Sequence, residues 1–458
     1  MMTNINRHPA SFRDPSGYVY EKDGIIYRFV SNVYKANYEL LQSSGLFKQL
    51  SEKKLLLPFT ELKENHTGST DWLITLQPQP IPFLNYAWEW CFDALKDAAL
   101  TTLSICKLAL QKEMILKDAT HFNIQLVNGR PLLIDTLSLE QYNEGSSWVA
   151  YRQFCECFLN PLLLHVYCGL ECQKMLLAYP QGIPVTLTSS LLPLKSKLNT
   201  AVMLHVHLHA KLSGGKKKEN TTKQKKISKQ SVLHILNSLE SFISKLQLPE
   251  TKSAWSNYYD ETILSADYLL SKKQIVEEWL NELSCSSVID IGANEGEFSL
   301  LFQKDAMVVS TDVDSNCINK LYSKVRREKL HHLLPLVTDL TQPSPAMGWL
   351  NKEQLPFFER KKFDLCLALA LVHHLAIGKN IPFSKLASFF AEQCETLLIE
   401  FVPKSDPKVV EMLAEREDIF EDYFIDLFEL EFTKYFIIQK KQLISNTKRI
   451  LYQLKKPG

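Results

Sequence analysis

Short apolar runs recur along the C-terminal part of the chain, and each ends in a polar residue or a turn. The first run, Val288–Ile291, meets Gly292 and Gly296 and is followed by the apolar, helix-compatible residues 298–302. Further runs cover residues 307–311, 333–337, 363–371, 397–402, 435–438 and 449–454. Apolar runs of this length bounded by turns indicate buried strands. With helical stretches between them, they predict an α/β domain of five βα units and a terminal pair of strands.

The glycine turn after the first run is the first candidate ligand site. Glycine permits positive φ and close backbone approach, and the start of a helix offers free N–H groups to a polar ligand. The turn reads Gly292-Ala293-Asn294-Glu295-Gly296, which departs from the G-x-G-x-x-G pattern of dinucleotide-binding dehydrogenases. Asn294 stands at its middle, and Asn tolerates left-handed geometry better than most residues.

Acidic residues follow the next two runs. Asp312 lies twenty residues after Gly292, where a carboxylate at a strand tip can accept both ribose hydroxyls of an adenosine ligand. Asp339 follows the third run and is expected to meet the adenine amino group. The turn and the two acids together favour a class I S-adenosylmethionine-dependent methyltransferase over a dehydrogenase.

Several segments together resemble one protein family. They read LKDATHFNIQLVNGRPLLIDTLS, WVAYRQFCE, VIDIGANEGEFS, LPLVTDLTQPSPAMGW, FDLCLALALVHHLA and LLIEFVPKSDP. This set is similar to bacterial methyltransferases related to the rhizobial nodulation protein NoeA, over most of the chain. The resemblance implies a Rossmann-like class I methyltransferase domain, with a seven-stranded sheet and an antiparallel terminal strand, and S-adenosyl-L-methionine as cofactor. It does not imply the methyl acceptor.

The family's fold assigns a role to each candidate residue. The cofactor-binding set is Asp290, Gly292, Asn294, Gly296, Asp312, Asp339, Ala370 and Leu371. Within it the glycine turn admits the methionine end, Asp290 orders the ammonium group through the turn, and carbonyls near Ala370–Leu371 face the ammonium and the methyl group. His373 or His374 is the candidate base that takes a proton from an acceptor hydroxyl or amine, because the ordinary pKa of histidine lies near neutral pH. Packing and helix capping are the alternative roles of these two histidines, and Glu400 is a weaker candidate at the same rim.

The N-terminal part contains a second candidate site. Residues 17–30 alternate and turn at Lys22-Asp23-Gly24, which predicts a β-hairpin, and helical stretches follow. Asp118 and Asn123 then precede a turn at residues 128–129 and a strand that ends in Asp135. This order resembles the catalytic loop of protein kinases and aminoglycoside phosphotransferases. No glycine-rich loop or V-A-I-K-like lysine accompanies it, so a structural hairpin, a degenerate kinase-like fold and an active phosphotransferase stay open.

The composition divides the chain into four parts. We expect an α+β domain over 1–210, a Lys-rich linker or loop over 211–230, a helical connection and cofactor lid over 231–284, and the methyltransferase domain over 285–458. Candidate lid residues are Trp255, Tyr258, Tyr259 and Tyr268, with simple packing as the alternative for each.

The overall composition is that of a globular protein, with 45% hydrophobic and 22% charged residues and a net charge of +1. No apolar run is long enough to span a bilayer, the N-terminus has no secretory apolar core, and the ten cysteines include no CxxC pair. We therefore expect a cytoplasmic protein with reduced thiols and no metal. His205, His207 and His209 alternate, but no nearby acid or cysteine completes a metal site.

The function expected from the sequence is O- or N-methylation of an unidentified acceptor. A small molecule, glycan or lipid is favoured over a protein, and nucleic acid is unlikely because the Lys-rich segment has no interleaved aromatic residues. Two alternatives remain: a phosphotransferase centred on Asp118, Asn123 and Asp135, and a non-catalytic adaptor that binds the cofactor as a structural ligand.

Overall fold

The computed structural model describes residues 5–213, 226–249, 266–303, 305–414 and 417–457, and it divides into two compact units. The first unit consists of Met1–Glu250 with Pro345–Leu355, and the second of Thr251–Ser344 with Pro356–Gly458. The segment 345–355 is separated in sequence from the rest of the first unit but is bonded to it through Arg13. The Arg13 guanidinium donates two hydrogen bonds of 2.9 and 2.6 Å to the carboxylate of Glu353.

The strands of the first unit form one larger antiparallel sheet and two ribbons. They are β1 (Asn6–Arg7), β2 (Gly17–Lys22), β3 (Ile25–Ser31), β4 (Phe59–Leu62), β5 (Trp72–Pro78), β6 (Met114–Leu116), β7 (Ile124–Val127), β8 (Arg130–Leu133) and β9 (Leu139–Gln141). The sheet order is β1-β2-β3-β5-β4, and the ribbons pair β6 with β9 and β7 with β8. The predicted hairpin is present, because Asp23 and Gly24 take positive φ between β2 and β3.

The helices of the first unit surround this sheet and the ribbons. They are α1 (Lys35–Ser43), α2 (Leu46–Glu52), α3 (Phe92–Gln111), α4 (Tyr151–Phe154), α5 (Asn160–Cys168), α6 (Cys172–Ala178), α7 (Val185–Leu191), α8 (Thr200–Val202), α9 (His209–Ser213) and α10 (Lys229–Ser244). A π-helical turn, Cys155–Leu159, joins α4 to α5, and a second, Met203–Leu208, joins α8 to α9.

Helix α10 belongs to the first unit, whereas the sequence placed it in a connection between domains. It packs against α3 through one apolar side, on which Val232, Leu236 and Leu239 are buried. An ion pair of 2.5 Å between Lys107 and Glu240 joins the same two helices. Contacts between α10 and α3 place α10 in the first unit. These helices are far apart in sequence, so the local hydrophobic pattern could not predict their packing.

The strands of the second unit form one mixed seven-stranded sheet. They are β10 (Ser287–Ile291), β11 (Met307–Asp312), β12 (Leu333–Val337), β13 (Phe363–Ala368), β14 (Cys394–Phe401), β15 (Ile437–Leu443) and β16 (Ile450–Lys455). Their order is β12-β11-β10-β13-β14-β16-β15. The pairs from β12 to β14 are parallel, and β16 runs antiparallel to both β14 and β15. The α/β class and the mixed sheet are as predicted.

Helices cover the sheet of the second unit and complete its core. They are α11 (Ala266–Glu282), α12 (Ser315–Glu328), α13 (Val372–Ala376), α14 (Phe383–Gln393), α15 (Pro407–Ala414) and α16 (Ile425–Phe432). The core joins Val276 and Trp279 of α11 to Val288, Val308 and Leu365 of the central strands. Strand interiors here are buried on both faces, which explains their continuous apolar runs.

One expected helix is nearly absent. The residues after the glycine turn form only a 3₁₀ helix, Ser299–Leu301, where the apolar pattern suggested a longer helix. In the described part of the chain, no helix is both long and apolar enough to cross a membrane.

Candidate functional site

The glycine turn closes the end of β10 against β11. The N–H groups of Gly292 and Ala293 both donate to the carbonyl of Thr311, at 2.8 and 2.9 Å. Gly292, Asn294 and Gly296 take φ of 79°, 51° and 86°. A Cβ at Gly296 would lie 2.5 Å from Leu321, so only glycine fits both the backbone conformation and the space there.

Asp290 lies buried in β10 beneath this turn. Its Oδ2 accepts a hydrogen bond of 2.6 Å from the hydroxyl of Ser299, which in turn accepts one of 2.8 Å from Ser310. Burial raises the pKa of Asp290 to about 6, against the opposing effect of the Ser299 hydrogen bond. Asp290 therefore ties β10 to the 3₁₀ helix Ser299–Leu301 that follows the turn.

Asp312 stands at the carboxyl end of β11, directly beside the turn. Its Oδ2 accepts the N–H of Asn294 at 2.8 Å, and its Oδ1 accepts the N–H of Asp314 at 2.9 Å. Burial raises the pKa of this carboxyl, and the backbone N–H groups of Asp314, Asn294 and Val313 lower it. Because a carboxylate offers about four acceptor positions, these three donors leave room for a ligand hydroxyl.

Asp339 lies at the same rim, since Asp312 is paired with Val337 in the β11–β12 register. Its Oδ1 accepts hydrogen bonds from the N–H and the hydroxyl of Thr341, at 2.8 and 2.7 Å. Both predicted adenosine contacts therefore emerge from neighbouring strand ends.

The end of β13 approaches the glycine turn from the other side. Ala370 takes a positive φ of 53°, and its N–H donates to Oε2 of Glu400 at 2.9 Å. A Cβ at Gly292 would lie 3.3 Å from a methyl group of Leu371. Leu371 thus lies beside the turn, and Ala370 directly precedes it.

The two histidines begin the short helix α13. Their ring centroids are 4.1 Å apart. His373 is fully buried, and neither of its ring nitrogens has a hydrogen-bond partner in the described residues. Burial lowers the pKa of His373 well below its ordinary value and that of His374 to about 4, with Arg449 contributing to both. Both rings are therefore neutral at pH 7, whereas the sequence argument used an unperturbed pKa.

A buried charge network behind α13 was not found from the sequence as a set. Glu400 on β14 accepts Lys272 of α11 at 2.6 Å and the hydroxyl of Tyr268 at 2.9 Å. Arg449, before β16, binds Tyr268 at 2.9 Å and Asp406 through two hydrogen bonds of 2.7 and 2.9 Å. These five residues are almost wholly inaccessible. They are far apart in sequence, so only the polar character of Lys272, Glu400 and Arg449 inside apolar segments could have indicated them.

The residues at this rim fit an adenosine ligand that ends in an amino acid. The turn supplies backbone N–H groups at close range and Asp312 supplies a carboxylate at the neighbouring strand end, in a sheet whose strands, numbered along the chain, have the order 3-2-1-4-5-7-6. In open α/β sheets, ligands bind at the carboxyl ends of the strands where the order reverses, which here lies between β10 and β13.

Comparison with known proteins decides the family. The chain is 31% identical to nodulation protein NoeA of Rhizobium meliloti (strain 1021) over 459 residues, which cover 97% of this chain and 95% of the relative. The chain belongs to the NoeA family. No family model matches the chain. A shorter match, 26% over 137 residues, relates 29% of this chain to 38% of the tRNA (guanine(37)-N(1))-methyltransferase Trm5b of Methanocaldococcus jannaschii.

Two solved methyltransferase structures that are similar to this NoeA-family chain each match less than half of it. The N-methyltransferase NodS from Bradyrhizobium japonicum WM9 has a TM-score of 0.31 at 10% identity, over 42% of this chain and 99% of NodS. The magnesium protoporphyrin IX methyltransferase ChlM from Synechocystis PCC 6803, with bound SAH, has a TM-score of 0.31 at 17% identity, over 44% of this chain and 93% of ChlM.

The first unit brings its predicted residues together. The Asn123 amide donates to the backbone carbonyl of Asp118 at 3.4 Å and to the Ser138 hydroxyl at 3.1 Å, and Ser138 donates to Asp135 at 2.7 Å. Arg28 of β3 forms an ion pair with the other oxygen of Asp135. Burial, and then the charge of Asp135, raise the pKa of Asp118.

The remaining sequence candidates have structural roles. His205 and His207 lie on a helix, where they hydrogen-bond Tyr151 and Ser189, and no group of three potential ligands in the described residues could hold a metal. Of the candidate lid residues, Tyr268 is buried in the charge network, while 255, 258 and 259 lie outside the described residues. Most of the Lys-rich segment, 214–225, also lies outside them.

Proposed function

We propose that the second unit is an S-adenosylmethionine-dependent methyltransferase that acts on a hydroxyl or amine of a small molecule, glycan or lipid. The observation that carries the proposal is the pairing of the glycine turn with Asp312, whose Oδ2 lies 2.8 Å from the Asn294 nitrogen. This arrangement holds a carboxylate in place at the strand tip where a ribose would lie.

The chain's own residues then act mainly by binding and orientation. When bound, the cofactor supplies a methyl group on a sulfonium, which is transferred by in-line displacement and depends on alignment more than on covalent catalysis. Asp312 would hold the ribose, Asp339 the adenine amino group, and the turn from Gly292 to Gly296 the methionine end. Asp290 holds the turn through Ser299, and the carbonyls of Ala370 and Leu371 are oriented by the Glu400 contact.

We assign the acceptor proton to one of the histidines, with His373 favoured. Its ring is buried and neutral, and its nitrogens have no hydrogen-bond partner in the described residues, so an acceptor hydroxyl or amine would satisfy a nitrogen that the fold leaves unpaired. His374 is the alternative on the same helical turn.

Tritium transfer from methyl-labelled cofactor to small-molecule and lipid extracts tests this proposal. The full chain should label an acceptor fraction, and the Asp312→Ala variant should not. Cofactor binding without any transfer, across extracts that contain glycans, lipids and small metabolites, would favour the adaptor interpretation.

We further propose that the first unit is a degenerate kinase-like scaffold. The convergence of Asp118, Asn123 and Asp135 supports the resemblance, while Arg28 and Ser138 engage both carboxylate oxygens that a magnesium ion would need. Calorimetry of the full chain with magnesium and ATP should show no binding. Magnesium-dependent ATP binding that is lost in Asp135→Asn would instead support a phosphotransferase.

A further inference from the structure

A set of large apolar side chains is exposed on the first unit, on the segment from Leu194 to Leu212. We call it the leucine face: Leu194, Leu198, Met203, Leu204, Leu208 and Leu212. The exposed fraction of these side chains reaches 87% at Leu198 and 74% at Leu212. Leu204, Leu208 and Leu212 recur every four residues along one continuous helical stretch, so they share a side of it. A contiguous exposed apolar patch marks an interaction surface.

The segment is anchored by the buried side chains of Val202 and Val206 and by the hydrogen bonds of two histidines. The His207 ring accepts or donates hydrogen bonds of 2.9 Å with both Ser189 of α7 and Ser196 of the 3₁₀ helix Leu194–Leu198. The His205 ring likewise bridges Tyr151 and Ser238, at 2.8 and 3.2 Å. Apolar packing and these hydrogen bonds therefore hold the segment in place, and the leucines remain exposed on it.

The charged residues of the segment that carries the leucine face are all lysines. Lys195, Lys197 and Lys211 are exposed, and residues 185–213 contain no Asp or Glu and no Phe, Tyr or Trp. The chain that continues from there, residues 213–230, contains seven lysines and one acid, Glu219. Apolar side chains flanked by lysines match the boundary of a bilayer that contains anionic lipids.

We propose that the leucine face docks on an anionic phospholipid surface. The leucines would enter the boundary between headgroups and acyl chains, while Lys195, Lys197 and Lys211 contact the headgroups. A second copy of the chain fits less well, because two such faces would bring their lysines together and residues 185–213 supply no acidic residue to offset them. Nucleic acid fits less well because its single strands stack on aromatic side chains, which residues 185–213 lack.

Vesicle sedimentation of the full chain tests this proposal. The wild type should pellet with phosphatidylglycerol–phosphatidylcholine vesicles at low salt and remain in solution with pure phosphatidylcholine. The triple variant Leu198→Ser, Leu208→Ser, Leu212→Ser should lower the partition coefficient by about tenfold or more. The variant Lys195→Glu, Lys197→Glu, Lys211→Glu should lower it similarly, and for the wild type the coefficient should fall as salt rises.

Matched variants elsewhere serve as controls. Leu270→Ser, Leu430→Ser, Leu443→Ser removes leucines that are 57–59% exposed in the second unit, and Lys362→Glu, Lys379→Glu, Lys385→Glu makes the same change of charge. Both should sediment as the wild type does. Equal binding by the leucine-face variants and their controls would overturn the proposal, as would a wild type that binds no vesicle. A leucine-face variant that changes a dimer to a monomer without changing sedimentation would also overturn it, in favour of self-association.

Discussion

Lys272 and Glu400 form an ion pair of 2.6 Å in which both side chains are almost completely inaccessible, at 1% and 0% exposure. The pair joins α11 to β14 within the second unit. Glu400 also accepts the N–H of Ala370, so the same carboxylate holds the strand end that leads to the two histidines. Buried ion pairs are weak sources of stability, which suggests that this one is kept for position.

Removing one partner of this pair should cost much stability. Lys272→Met should lower the free energy of unfolding by about 3–5 kcal/mol, because it leaves a buried carboxylate with less compensation. Glu429→Gln is the matched control: this half-buried glutamate also accepts a lysine and a tyrosine, Lys441 and Tyr452, but away from the strand ends. Glu429→Gln should lower the free energy of unfolding by about 1 kcal/mol or less. Urea denaturation measures both, and equal losses would contradict the special role of the pair.

Asp290 should give the second unit a characteristic pH dependence. Its pKa is raised by burial from 3.8 to about 6, so its protonated form stabilises the fold below pH 3.8, and this contribution is lost as pH rises through about 6. Asp290→Asn keeps an acceptor for the Ser299 hydroxyl but has no carboxyl to titrate. As pH rises from 3.8 to about 6, the free energy of unfolding of this variant should therefore rise by about 3 kcal/mol relative to that of the wild type.

Asp364 is the control for the sign of this effect. Hydrogen bonds from Ser286 and Ser287 hold the pKa of Asp364 below its usual range, so Asp364→Asn should instead lose stability relative to the wild type as pH rises. Denaturation from about pH 2 to 7.5 measures both differences, because the window of Asp364 lies below its ordinary pKa of 3.8 and that of Asp290 lies between 3.8 and about 6. If the stability of both variants relative to the wild type changed in the same direction as pH rises, the raised pKa of Asp290 would be refuted.

The sequence predicted the strands and the rim residues because both depend on local pattern. Apolar runs located β10 to β14 and β16 within a few residues, and the polar residue that ends each run marked Asp312 and Asp339. Asn294 takes the left-handed conformation that its side chain tolerates.

Features set by distant contacts could not be predicted in this way. Lys272 and Glu400 are 128 residues apart, so the local pattern around each one does not show that they pair. The pKa values of His373 and His374 depend on burial and on Arg449, so the expectation of a near-neutral pKa was wrong. The histidines at 205, 207 and 209 alternate in sequence, yet a helix carries them.

One of the two histidines should be needed for methyl transfer but not for cofactor binding. His373→Ala should reduce transfer about 10²–10⁴-fold if its ring takes the acceptor proton. His374→Ala, on the same turn, is the comparison variant. The measurement is tritium transfer to the fraction that the wild type labels, with S-adenosylhomocysteine affinity measured in parallel. Two fully active variants would exclude the role, and loss of cofactor binding in both would point to packing.

The cofactor assignment rests on Asp312 more than on any other residue, and calorimetry tests it directly. S-adenosylmethionine should bind the full chain at one site, and Asp312→Ala should weaken binding by about 1.5–3 kcal/mol, or roughly 10- to 150-fold. Asp364→Ala is the control, because Asp364 also accepts backbone N–H groups, at 2.8 and 2.9 Å, but at the start of β13 rather than at a carboxyl end. The account predicts unchanged affinity for Asp364→Ala and the stated loss for Asp312→Ala. Equal affinity of the wild type and a folded Asp312→Ala variant would contradict it.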